Sequence, residues 1–174
     1  MINFKKKTAE SGRSMIEMLG VLAIVGILSA GGIAGYSMAM QSYKTNALIE
    51  KVNLIAIQTR KVYKGSYAGM NIQNLLDAGK ITDISNPFGG NLKLQTSGWG
   101  NTMFHVSIEG SIPPEACTEL LQTDWGSSGV FEGVHMIGNS NLTFRYNAGT
   151  WPVTTSDAVA ACKGGATIFR PVFK

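Results

Sequence analysis

Hydrophobic and polar positions divide this chain sharply. From Met18 to Tyr43 no residue carries a charge. As a helix that run extends about 39 Å at roughly 1.5 Å per residue, whereas a bilayer core needs about 20 apolar residues. The run is therefore long enough to span a membrane. From Gln41 to Tyr63 the pattern becomes amphipathic. Ala47, Leu48, Val52, Ile55, Ala56, Thr59, Val62 and Tyr63 recur at intervals of three and four, with Lys44, Glu50, Lys51, Arg60 and Lys61 between them. This spacing predicts one helix continuing out of the apolar run, with a single face under a globular domain and a stop at Gly65.

Beyond Gly65 the pattern shortens. Asn71 to Ala78 reads as a short helix closed by Gly79, and Asn86-Pro87-Phe88-Gly89-Gly90 as a turn. Strands are predicted at Asn91 to Gln95, Met103 to Ile108, Val134 to Ile137, Leu142 to Tyr146 and Ala166 to Phe173. Pro113-Pro114 suits the first turn of a helix running through Glu115 to Gln122. A second short helix is expected over Thr155 to Cys162, stopped by Gly164-Gly165. The fold class is α+β: a long N-terminal α-helix, membrane-spanning then amphipathic, packed on a C-terminal antiparallel β-sheet domain.

Composition changes this picture little. A chain of 174 residues fits one membrane segment and one ordinary domain, and the net charge of +4 includes three lysines, Lys5 to Lys7, ahead of the apolar run. No basic stripe follows, so no nucleic-acid footprint is present. Those lysines hold the N-terminus in the cytoplasm under the positive-inside rule, which exports everything after about Ser42. Cys117 and Cys162 both fall on the exported side, where disulfides persist. A disulfide between them is expected. Metal ligation is the weaker alternative, since there is no CxxC and His105 and His135 stand apart in sequence.

The candidate chemistry sits at the mouth of the apolar run. Glu17 is a carboxylate at the edge of hydrocarbon, where such a group is costly and ordinarily has a partner and a task. It follows Gly12-Arg13-Ser14-Met15-Ile16 and precedes Met18-Leu19-Gly20. A basic leader, a Gly, this spacing to Glu and a charge-free helix together resemble the class III signal of type IV prepilins and pseudopilins. The resemblance implies that a prepilin peptidase cuts between Gly12 and Arg13, that the new amino terminus at Arg13 is N-methylated, and that Glu17, fifth in the mature chain, pairs with the amine of a neighbouring subunit to set register. The usual first mature residue is Phe or Met; here it is Arg13. The C-terminal half resembles type IVb pilins through Asn86-Pro87-Phe88, Ile108-Glu109-Gly110 leading into the helix of Cys117, and a second cysteine before a final strand.

Residues 1–12 are then a removed leader, 13–42 a hydrophobic transmembrane and assembly helix, and 43–174 an exported domain that includes the amphipathic half of the helix. Gly26, Gly31 and Gly35 are candidates for close helix packing, the last two as a small-xxx-small pair. There is no GxSxG, GxGxxG, P-loop or HExxH. Asp124, Glu132 and Asp157 are weighed as a cation site and read instead as solvated loop charges. The expectation is a structural subunit, not an enzyme, with no cofactor and no metal. Its implied partners are copies of itself, the peptidase, an inner-membrane assembly platform and, before assembly, lipid. It would sit in the inner membrane with the domain in the periplasm, then in an extracellular filament. A pseudopilin or minor pilin shares this N-terminus, and a single-pass anchored adhesin is the alternative of another class.

Overall fold

The computed structural model describes residues 15–96, 100–126, 130–138 and 143–174. The expected cleavage and methylation positions, Gly12 and Arg13, lie outside them. The chain divides into two compact units between Met40 and Gln41, although α1, Met15–Tyr63, runs through both.

The N-terminal unit is the first part of α1. Its apolar side chains are exposed on every side: Met15, Ile27, Leu28 and Ile33 all keep at least 69% of their surface. By length and composition this helix can cross a membrane. A helix apolar all round does not fold against water by itself; it needs lipid or other helices.

The second unit begins with the rest of α1. Thr45, Leu48, Val52, Ile55, Ala56 and Thr59 form its buried face. The two threonines are tolerated there because their hydroxyls donate to carbonyls of their own helix, Thr45 Oγ1 to Gln41 O at 3.0 Å and Thr59 Oγ1 to Ile55 O at 2.7 Å. Val62, expected on this face, is exposed instead, while Tyr63 beside it packs partly buried against the core and its hydroxyl accepts from Asn71 N–H and Asn74 Nδ2. The stop comes one residue earlier than Gly65: Lys64 already takes φ 47, and Ser66 N–H closes the end on Tyr63 O.

α2, Ile72–Asp77, is capped by the Asn71 side chain, which accepts from Gln73 N–H, and it buries Leu75. The five-stranded sheet follows: β1 Lys93–Thr96, β2 Phe104–Ile112, β3 Phe131–Gly138, β4 Thr143–Asn147 and β5 Ala166–Phe173. All pairings are antiparallel, in the order β1-β2-β5-β3-β4, so the last strand enters the middle of the sheet. β2 runs four residues beyond the expected Ile108, because a bulge between Glu109 and Ile112 carries the pairing with β5 past Gly110. β3 begins three residues before the expected Val134. Leu142, expected to open β4, lies outside the described residues.

α3, Pro114–Gln122, and α4, Thr155–Ala161, pack together, α4 capped by Thr154 Oγ1 accepting from Asp157 N–H. The core lies on the inner sheet face and is rich in rings: Tyr67 against Phe104 at 4.6 Å between centroids, Phe104 against Phe173 at 5.6 Å, Trp125 against Phe169 at 6.1 Å.

Among the described residues two glycines are sterically required, Gly133 and Gly165; a Cβ on Gly165, at φ 86, would collide with the carbonyl oxygen of Ile112. Gly133 sits in β3 at φ 142, and a Cβ there would collide with the carbonyl oxygen of Tyr146 in β4. Gly133→Ala is therefore expected to destabilise the domain by at least about 2 kcal/mol, through strain and loss of the β3–β4 pairing. Thermal unfolding of the variant beside the parent measures it; an unchanged midpoint would contradict the reading.

Candidate functional site

Glu17 occupies the first turn of α1. A side chain there lies at the positive end of the helix dipole, and an acidic group in that first turn contributes a few tenths to about 1 kcal/mol to the helix. Gly31 and Gly35, four residues apart, share one face of the helix; Gly26 lies about 140° round from Gly31 at roughly 100° per residue. A Cβ built on any of the three would meet nothing within 4 Å. Each glycine costs up to about 1 kcal/mol in a helix relative to Ala. Among the described residues no packing contact at these positions offsets that cost.

The expected disulfide is present. Cys117 of α3 is bonded to Cys162, the C-cap of α4, with Cα atoms 5.7 Å apart and both side chains buried. The bond ties together two short helices that pack on each other.

The three acidic residues weighed as a cation site are engaged separately. Asp124 Oδ1 accepts from Gly126 N–H at 2.9 Å, Glu132 lies 3.8 Å from Lys174 Nζ, and Asp157 accepts from Thr154 Oγ1 at 2.8 Å. Elsewhere Lys51 on α1 reaches Asp83 and the carbonyl of Ser85, fastening the helix to the loop before the Asn86 turn. That bond, chiefly, holds the Asp83 carboxyl well below the usual carboxylate range.

His105 and His135, apart in sequence, are brought to one face of the sheet. His105 in β2 pairs with Val172 of β5, and His135 in β3 pairs with both Arg170 of β5 and Arg145 of β4. Alternation puts these side chains on the face opposite the core. The neighbourhood is charged: Lys93 binds Glu109, Ser107 Oγ donates to the same carboxylate at 3.1 Å, and Arg170 Nε donates to Ser107 Oγ at 3.0 Å. The Lys93 bond is the main reason the Glu109 carboxyl lies below its ordinary value.

Burial first, then the Arg170 guanidinium and the neighbouring imidazole, push the His105 pKa down from 6.5 to about 4; burial, Arg145 and Arg170 lower that of His135. The unfolded chain therefore takes up protons between about pH 6.5 and 4 that the folded domain refuses. The stabilisation is complete above 6.5 and is lost as pH falls through that window. The midpoint of thermal unfolding is expected to fall over this range, the part above about pH 5 lying before the carboxylates titrate, and His105→Gln should flatten the slope there. An equal slope in the variant would remove His105 as its source.

Residues 42–170 match the family described as PilS N terminal. The chain is 30% identical to the major structural subunit of bundle-forming pilus of Escherichia coli O127:H6 (strain E2348/69 / EPEC), over 90% of each chain. The corresponding protein of Escherichia coli O111:H- is also 30% identical, with the same coverage. The toxin coregulated pilin of Vibrio cholerae is 26% identical over 67% of this chain and 58% of its own.

Proposed function

This chain belongs to the PilS family of type IV pilins, and from that premise we propose that it is the structural subunit of a type IVb pilus. The observation that carries the reading is the similarity over nine-tenths of the chain to a major structural subunit, apolar helix included. Residues 1–12 are a leader, 13–42 the segment that waits in the inner membrane and later packs in the filament, and 43–174 the domain held outside. Cleavage after Gly12 frees the amine of Arg13, which the peptidase methylates. The apolar side chains of residues 15–40 then leave lipid for the interior of a homopolymer on an assembly platform. The bare faces at Gly26, Gly31 and Gly35 let neighbouring helices approach closely. There Glu17 meets the amine of a neighbouring subunit. Each charge offsets the other's burial, and the pair fixes the axial register. Two groups on one subunit cannot make this arrangement repeat; one group at each end of a fixed offset can.

The reading is tested on sheared surface material by electron microscopy and mass spectrometry. Fibres whose subunit begins at Arg13 are expected; material beginning at Met1 would favour an anchored binding domain. Gly12→Val should block the cut, so the chain accumulates in the membrane heavier by the mass of its first twelve residues. A product of normal mass would place the cleavage elsewhere.

A further inference from the structure

The outer face of the sheet carries a cleft of about 590 Å³ whose lining includes His105, Glu132, His135, Arg145 and Arg170. That volume lies in the range of small-molecule sites. Its charges do not cancel. Glu132 is drawn to Lys174, and Glu109 is shared by Lys93, Ser107 and Arg170. Arg145 is exposed and has no carboxylate within ion-pair reach among the described residues. The ring nitrogen Nε2 of His135 is buried and has no hydrogen-bond partner among the described residues. Buried polar atoms are normally satisfied, so an orphan beside a free guanidinium marks a place for a group that accepts hydrogen bonds and carries negative charge.

We propose that this cleft binds a small molecule bearing an oxyanion, either a phosphate ester or a sugar acid, with Arg145 as its charged partner and the His135 imidazole as a neutral donor. Arg170 contributes field more than contact, since Ser107 and Glu109 already occupy it. His105, whose Nε2 lies 3.3 Å from Gln95 Oε1, closes the β2 side. The site is independent of the helix-borne assembly role, because every lining residue belongs to the sheet strands.

The chain holds only two histidines, so the imidazole C–H resonances of the full-length protein in detergent report on this cleft alone. Inorganic phosphate, glucuronate, glucose and chloride are titrated at matched ionic strength. Saturable shifts of His135 with phosphate or glucuronate, but not with glucose or chloride, are expected. Phosphate alone would assign a phosphate ester, glucuronate alone a sugar acid, and both the shared oxyanion chemistry. Arg145→Gln should weaken the dissociation constant about tenfold or more, Arg145→Lys should retain part of the affinity, and Lys80→Gln, an exposed cation elsewhere, should change nothing. No saturable shift with either anion, an equal response to glucose, or undiminished binding by Arg145→Gln would overturn the proposal.

Discussion

Glu17→Ala is expected to yield a precursor that is cleaved and membrane-bound but builds no filaments. The variant keeps the leader, Gly12 and the apolar helix, so cleavage and membrane insertion are expected to proceed. On the proposed reading it loses the negative partner of an amine that assembly would bury. Breaking a buried pair by removing one member costs about 3–5 kcal/mol, because the remaining charge stays desolvated and unpaired. In a polymer that penalty recurs at every joint. Spread over each addition step it lowers the growth equilibrium by about two to three and a half orders of magnitude, since every 1.4 kcal/mol is tenfold. The competing account is that Glu17 only stabilises the first turn of α1. That effect is at most about 1 kcal/mol and would leave piliation nearly normal. Glu17→Gln separates charge from shape: it keeps the side chain's size, and is expected to fail as Ala does. Electron microscopy of the surface and immunoblots of precursor and mature forms measure both. Normal filaments from Glu17→Ala would sink the register role, and uncleaved precursor would move its task to processing.

The parts of this fold that were legible in the sequence are those whose information is local. The charge-free run after Glu17 and the stripe from Leu48 to Thr59 announce α1 because a helix repeats its environment every three to four residues. β5 has both of its expected ends, since Ala166–Phe173 is a mostly apolar stretch bracketed by a glycine pair and Lys174. Where tertiary pairing overrides local pattern, the reading failed. Glu109-Gly110-Ser111 looks like the end of a strand, yet β2 continues through it because β5 supplies the hydrogen bonds and Lys93 the counter-charge. Thr45 is absent from the expected stripe yet lies fully buried, its hydroxyl satisfied by its own helix.

The histidine cleft was the larger omission. His105 and His135 are thirty residues apart and meet only because β5, last in the chain, pairs with both their strands. No spacing rule carries that fact. The available signal was weaker: alternation in Phe104–Ile112 and in Phe131–Gly138 leaves each histidine on the face away from the core. By contrast the assembly helix was legible because its function is repetition of one simple property along one element. Sites built from several strands depend on topology, and topology is the least local thing a chain encodes.

Removal of the Cys117–Cys162 bond is expected to cost about 4 kcal/mol of domain stability. The bond spans a sequence separation of 45 residues, and the chain-entropy account assigns a loop of that order roughly this value at 25 °C. Domains of this kind have only about 5–15 kcal/mol in total, so the loss is a large fraction of what there is. Its location sharpens the effect. The closed loop contains β3, β4 and α4, so the unfolded chain gains freedom in about a third of the domain when the bond is cut. α3 and α4 are nine and seven residues long, too short to persist alone. They are kept by burial of Leu120, Leu121, Ala158 and Ala161 and by the bond itself. Paired Cys117→Ala and Cys162→Ala substitutions avoid both a stray thiol and a buried hydroxyl. At roughly 3–5 °C per kcal/mol for a domain of this size, their melting midpoint should fall by about 15 °C. The same fall should appear in the parent protein on reduction, and be absent in the alanine pair when reductant is added. Circular dichroism of full-length protein in detergent, oxidised and reduced, reads all three. A difference under about 3 °C would show that packing of the two helices suffices, because an entropic staple cannot be removed without raising the freedom of the unfolded chain.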